Sequence, residues 1–148
     1  MIIKSFELNK IDFGLSNLYL FYGKNEGAKK EIINQITSKR ANAEIIIYEE
    51  KEILNDSTIF EENIISYSLF EKEKIFIIKR TTDKIIKILD KIKAKNLEDI
   101  TIIFESENLE KKSKIRSFFE KDKKFICMPF YPDNEQTLLK LSINFFSK

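Results

Sequence analysis

The chain contains no histidine. That removes the usual acid–base group at neutral pH, the Ser-His-Asp and Cys-His nucleophile systems, and imidazole ligands for zinc. It holds one cysteine, Cys127, so no intramolecular disulfide can form, and a reducing cytoplasmic compartment is expected. Cys127 lies in the apolar run "FICMPF" and reads as a buried strand residue, not a reactive thiol. Net charge is nearly absent as well. The 26 basic and 24 acidic residues leave +2, too balanced to argue for nucleic acid or an anionic membrane on charge alone. No stretch approaches the roughly 20 apolar residues of a spanning helix, so no membrane partner is expected. The opening "MIIKSFELNK" lacks the apolar core of a signal peptide. No internal repeat, linker or low-complexity segment interrupts the chain.

What remains is a string of apolar segments that alternate in type. Its 148 residues, 43% of them hydrophobic, suffice for one compact domain over 1–148. The segments at 17–22, 43–49, 74–79, 100–105 and 125–130 read as strands. Those at 27–40, 56–68, 82–95, 111–122 and 133–146 read as helices. In the first helix Ile32, Ile33 and Ile36 are spaced for one face, with Lys39 and Arg40 in the last turn. The second has Asp56 or Ser57 as cap, and Glu61 or Glu62 in its first turn. The third presents Ile85, Ile88, Leu89 and Ile92, the fourth Ile115, Phe118 and Phe119. Strands apolar on both faces, separated by helices, predict an α/β fold: an open five-stranded parallel sheet with helices on both faces. Ligands of such sheets sit at the carboxyl ends of the strands, near the reversal of strand order. The last helix has an apolar face and the sequence stops just after it, as expected of a domain cut from something longer.

The stretch "YLFYGKNEGAKKEII" has the outline of a phosphate-cradling loop, with Gly23 after the first strand, then Gly27 and Lys29 ahead of a helix. The full pattern is G-x-x-x-x-G-K-[ST]. Counted from Gly23, its second glycine falls on Ala28 and its hydroxyl residue on Lys30. A methyl group hinders the approach to phosphate, and an ammonium group repels the Mg²⁺ that a hydroxyl should hold. The third strand, where carboxylates should end up, closes on Lys79 and Arg80. Glu105 and Glu107 follow the fourth strand without an obvious partner. The loop therefore reads as a degenerate nucleotide site, with weak anion binding at the helix start as its remaining use. No metal and no cofactor are expected.

A second stretch does not suit its helix. With Phe60 at zero and about 100° per residue, Ile64 and Tyr67 complete a core face, while Ile65 and Leu69 point away and Phe70 lies at the edge. Either the helix stops near Ser66 and Leu69 and Phe70 fold back under the sheet, or they form an apolar wedge for a partner protein.

The order of elements, the loop after "YLFYG" and the run "SLFEKEKIFIIK" together resemble the delta subunit of the bacterial DNA polymerase III clamp loader. The tail "TIIFESENLEKKSKIRSFFEKDKKFICMPF" and the helix after it extend the resemblance over nearly the whole chain. What the resemblance implies is a P-loop/AAA+-like N-terminal domain that does not hydrolyse ATP. It grips the ring-shaped sliding clamp (beta) and helps open it during DNA replication. In that family a small residue followed by Leu-Phe enters a pocket on the clamp. The matching positions here are Ser68, Leu69 and Phe70, with Ile65 beside them. The family's lid and C-terminal collar domains are not expected within 1–148, and the resemblance implies that in the full-length protein the collar joins the other loader subunits.

Two other readings stay open. An active P-loop NTPase or other nucleotide-binding domain needs Mg²⁺ ligands that the loop and third strand do not supply. A DNA-binding module would use Lys111, Lys112, Lys114 and Arg116, followed by Lys121, Lys123 and Lys124, as a basic patch. Acids lie among them, so contact with DNA is expected to be mainly indirect, with Lys111, Lys112 and Lys114 as the candidates.

Overall fold

A computed structural model of the protein describes residues 2–3, 17–67, 73–95 and 97–132, and of 65–67 the backbone alone. Five strands form one sheet: β1 (Leu18–Tyr22), β2 (Glu44–Glu49), β3 (Lys74–Lys79), β4 (Ile100–Ser106) and β5 (Ile126–Pro129). Their order is β2-β3-β4-β1-β5, and every pairing is parallel. The helices are α1 (Glu26–Ser38), α2 (Glu50–Asn55), α3 (Ser57–Tyr67), α4 (Ile86–Lys93) and α5 (Lys114–Lys121). The expected α/β fold with its open five-stranded parallel sheet and flanking helices is thus present, a P-loop/Rossmann-like arrangement. The expected final helix, 133–146, lies outside the described residues.

Alternate residues of each strand feed opposite faces of the sheet. Tyr19, Phe21, Ile75, Ile77 and Ile103 meet Ile32, Ile33 and Ile36 of α1. Leu20, Phe76, Ile78, Ile102 and Phe104 meet α2 through Ile53, α3 through Phe60 and Ile64, α4 through Ile88, Leu89 and Ile92, and α5 through Ile115 and Phe119. Aromatic rings fill the second layer. Tyr48, Phe60 and Phe76 pack mutually at 5.4–6.3 Å between centroids. Each fully buried ring of this kind contributes on the order of 1.5–3 kcal/mol.

Several boundaries shift for local reasons. α1 starts at Glu26 because Asn25 caps it, its side-chain oxygen accepting from the Ala28 N–H at 3.1 Å. The helix ends at Ser38, so Lys39 is its C-cap and Arg40 lies beyond, not in the last turn. The helix predicted from 56 is preceded by α2, opened by a capping box in which Glu49 and Glu52 bond each other's main chain. Asp56 accepts from the Thr58 N–H, but Glu61 and Glu62 lie past the first turn of α3. The segment predicted as one helix from 82 opens with a 3-10 turn, Asp83–Ile85, before α4. The helix predicted from 111 starts at Lys114, capped by Ser113. β2 corrects the expectation of strands covered on both faces: as an edge strand it leaves Ile45 and Ile47 about half exposed.

Cys127, on β5, is fully buried in the layer shared with α2, α3, α4 and α5, as expected, and burial pushes its thiol up to about 12. No helix among the described residues is long and apolar enough to cross a membrane.

Candidate functional site

The reversal of strand order falls at β1. The chain leaves β1 toward α1 on one face of the sheet and leaves β4 toward α5 on the other. The carboxyl ends of β1 and β4 therefore border the crevice in which a nucleotide would sit in such a sheet. Gly23, Lys29, Glu105 and Ser106 are gathered there, and each is committed to the protein itself.

Gly23 is buried with φ +118. A Cβ at this position would lie 2.0 Å from the Phe130 carbonyl oxygen. The close backbone approach that only glycine permits is thus made to the end of β5, not to a phosphate. Main-chain donors of the loop are spent in the same way. The Gly23 N–H donates to Glu107 O, the Asn25 N–H to Phe130 O, the Glu26 N–H to Lys24 O and the Ala28 N–H to the Asn25 side chain. The Asn25 amide also donates to Tyr131 O at 3.3 Å. Gly27 departs from its expected part in shaping the loop. It lies inside α1, its φ is not positive, and an added methyl would meet only Asn25 Oδ1 at 3.9 Å.

Lys29, the lysine of the phosphate pattern, is 2% exposed. Its Nζ donates to Ser106 O at 2.9 Å and pairs with Glu26 at 2.8 Å. The ammonium thus closes the crevice by tying the first turn of α1 to the end of β4. Lys30 is exposed on the helix surface. Glu105 belongs to β4 and does not follow it; burial holds its carboxyl above the usual range, against the pull of Lys79 and Lys29.

Of the two basic residues at the end of β3, Lys79 is exposed as its last residue, and Arg80 just beyond it makes a strut. Arg80, at φ +56, donates from Nε and Nη2 to both oxygens of Glu49 at 2.8 and 2.6 Å. This holds the Glu49 carboxyl below its ordinary range through hydrogen bonding and charge. The neighbouring Glu50 is buried and accepts from the Thr82 N–H and hydroxyl. Thr81 bonds Glu105 O and shares a 2.6 Å contact with the Ser106 hydroxyl. Strand ends that would present metal ligands are instead laced to one another. No group of three or more metal-ligating side chains occurs among the described residues.

Periodicity could not reveal the Glu49–Arg80, Glu50–Thr82 and Lys29–Ser106 links, because the partners are far apart in sequence. Only the capping box at Glu49 and Glu52 leaves a local trace.

Ser68, Leu69 and Phe70, the expected wedge, lie outside the described residues, as does the side chain of Ile65. Phe60 and Ile64 occupy the expected core face of α3, 1% and 2% exposed.

The candidate DNA contacts are only partly brought together. Lys111 and Lys112 lie exposed before α5, Lys112 pairing with Glu110 at 3.3 Å, and Lys114 opens the helix. Arg116 turns inward: its Nε meets Glu120 at 2.6 Å, Nη1 donates to Leu109 O, and the guanidinium lies 5.1 Å from the Tyr22 ring centre. Asp83 accepts from the Ile115 N–H and the Ser113 hydroxyl, which holds its carboxyl below the usual range.

No protein-family model matches the chain, and no curated protein is significantly similar to it in sequence.

Proposed function

We propose that the chain is the clamp-gripping domain of a clamp-loader subunit of the delta type. In this reading it binds the sliding clamp of a bacterial DNA polymerase through Leu69 and Phe70 and helps open the ring without hydrolysing ATP. The observation that carries the reading is the committed Lys29: a nucleotide-handling fold whose phosphate lysine is bonded to its own strand end. A subunit that works by binding alone uses such a sheet as scaffold. Ring opening then draws on differential affinity for the open and closed clamp, not on chemistry in this domain.

The wedge segment also suits a separate site. α3 ends at Tyr67 and β3 begins at Lys74, so the chain re-enters the sheet at the amino end of β3, whereas the glycine loop follows the carboxyl end of the parallel strand β1. Burying a Leu and a Phe contributes about 1.5–3 kcal/mol each, which corresponds to tenfold or more in affinity per residue. The test is a titration of the chain with the cognate clamp. Leu69→Ala and Phe70→Ala are each expected to weaken binding at least about tenfold without lowering the melting temperature. Unchanged affinity in Phe70→Ala overturns the proposal.

One observation favours a nucleotide-binding domain as the second reading. Lys29 keeps its place in the first turn of α1, beside the strand ends. Binding there requires its ammonium to leave Ser106 and turn to a phosphate. Melting with and without Mg-ATP separates the two readings.

A further inference from the structure

α4 and α5 lie side by side on the same face of the sheet, and a shallow groove of about 500 Å³ runs between them. Lys93 borders it from α4; Lys114, Lys121 and Lys123 border it from α5 and the turn after it. Asp122 is the single acid in the lining. Four lysines against one aspartate give the groove +3, whereas the whole chain carries +2. The protein's positive excess is therefore gathered here, and the rest of the chain sums to −1.

The one acid is already offset. Asp122 pairs with Lys93 at 3.5 Å and accepts from the Lys124 N–H, which keeps it ionised. Lys114, Lys121 and Lys123 are exposed and form no ion pair among the described residues. The lining is also partly apolar. Phe118 stacks on Phe125 at 13° between ring planes, Lys93 Nζ lies 5.5 Å from the Phe118 centroid, and Ile86 adds an aliphatic edge.

We propose that this groove binds single-stranded nucleic acid, its lysines on successive phosphates and its apolar edge against the bases. Charge selects a polyanion. The apolar and aromatic lining favours a strand with unstacked bases, since a duplex keeps its base faces covered. The lysines singled out by sequence contribute unequally: Lys114 lines the groove, whereas Lys111 and Lys112 do not. This site is independent of the clamp-binding reading.

The experiment is fluorescence anisotropy of a labelled oligothymidylate titrated with the full chain at several salt concentrations. Three phosphates neutralised in a single strand predict a slope of log K against log salt of about −2, at about −0.7 each. The double variant Lys121→Ala with Lys123→Ala is expected to reduce the slope to about −0.7. Its melting temperature and clamp titration should match those of the parent chain, so that failure here and failure of the clamp reading are read separately. An unchanged slope and affinity in the variant overturn the proposal. So do tighter binding to a duplex of equal length, or displacement of the strand by polyglutamate as effectively as by unlabelled strand.

Discussion

Lys29 and Ser106 are joined by a 2.9 Å bond from ammonium to main-chain oxygen, across 77 positions of sequence. The link ties α1 to β4 through a buried charge whose ion-pair partner, Glu26, is largely in water. Lys29→Met should therefore leave the Ser106 carbonyl without a donor and cost about 1–3 kcal/mol, read by urea unfolding. Mg-ATP should not raise the melting temperature of the parent chain. A rise that disappears in Lys29→Met would restore the nucleotide reading.

The two glycines of the loop should respond in opposite directions. Gly23→Ala places a methyl group on the Phe130 carbonyl in a backbone conformation that side chains avoid, and should cost about 2 kcal/mol or more. Gly27→Ala, inside α1 and facing open space, should stabilise by about 0.5–1 kcal/mol. Thermal melting of the pair tests whether Gly23 alone sets the path of the chain.

Asp83 gives the stability a defined acid limb. Its folded-state pKa is lowered, first by the Ile115 N–H, so its contribution is present above the unfolded carboxylate pKa of about 3.9. That contribution is lost as pH falls through the folded value. Asp83→Ala should cost about 1 kcal/mol at pH 7, as the loss of a cap does, and the difference from the parent should close in strong acid. Glu105 has the opposite sign. Its raised folded-state pKa means stability is lost as pH rises through that value, so Glu105→Gln should be stabilising at neutral pH.

Cys127 should behave as an inert core residue. With its thiol at about 12 and no exposure, alkylation in native buffer should proceed only as fast as the fold opens, and at once in denaturant. Rapid native labelling would place it elsewhere.

The fold was legible because its signals are local and repeated: apolar strands, helical spacing at Ile32–Ile36 and Ile85–Ile92, and glycine after β1. α2 was not, since six residues span fewer than two turns and show no periodicity. The outer surface of β2 was not legible either. "EIIIYE" is as apolar as a central strand, and only the strand order makes it an edge. For the crevice, sequence showed what was substituted, Ala28 and Lys30. It could not show what Lys29 does, because that depends on a carbonyl brought near by the β1–β4 pairing.

That pairing also sets a schedule for synthesis. Among the described residues β1 pairs with β4 and β5, and Leu18 meets Ile102, 84 positions later. At about 5–20 residues per second, the ribosome takes roughly 4–17 s to deliver the partner after the strand itself. Throughout that wait "LYLFY", wholly buried in the finished sheet, has α1 to cover its Tyr19 and Phe21 face but neither β4 nor β5 to bond its main chain. Meanwhile β2 and β3 can already zip together. The segment that opens the fold on paper is thus among the last to find its place, and it is the stretch most in need of shelter on a nascent chain.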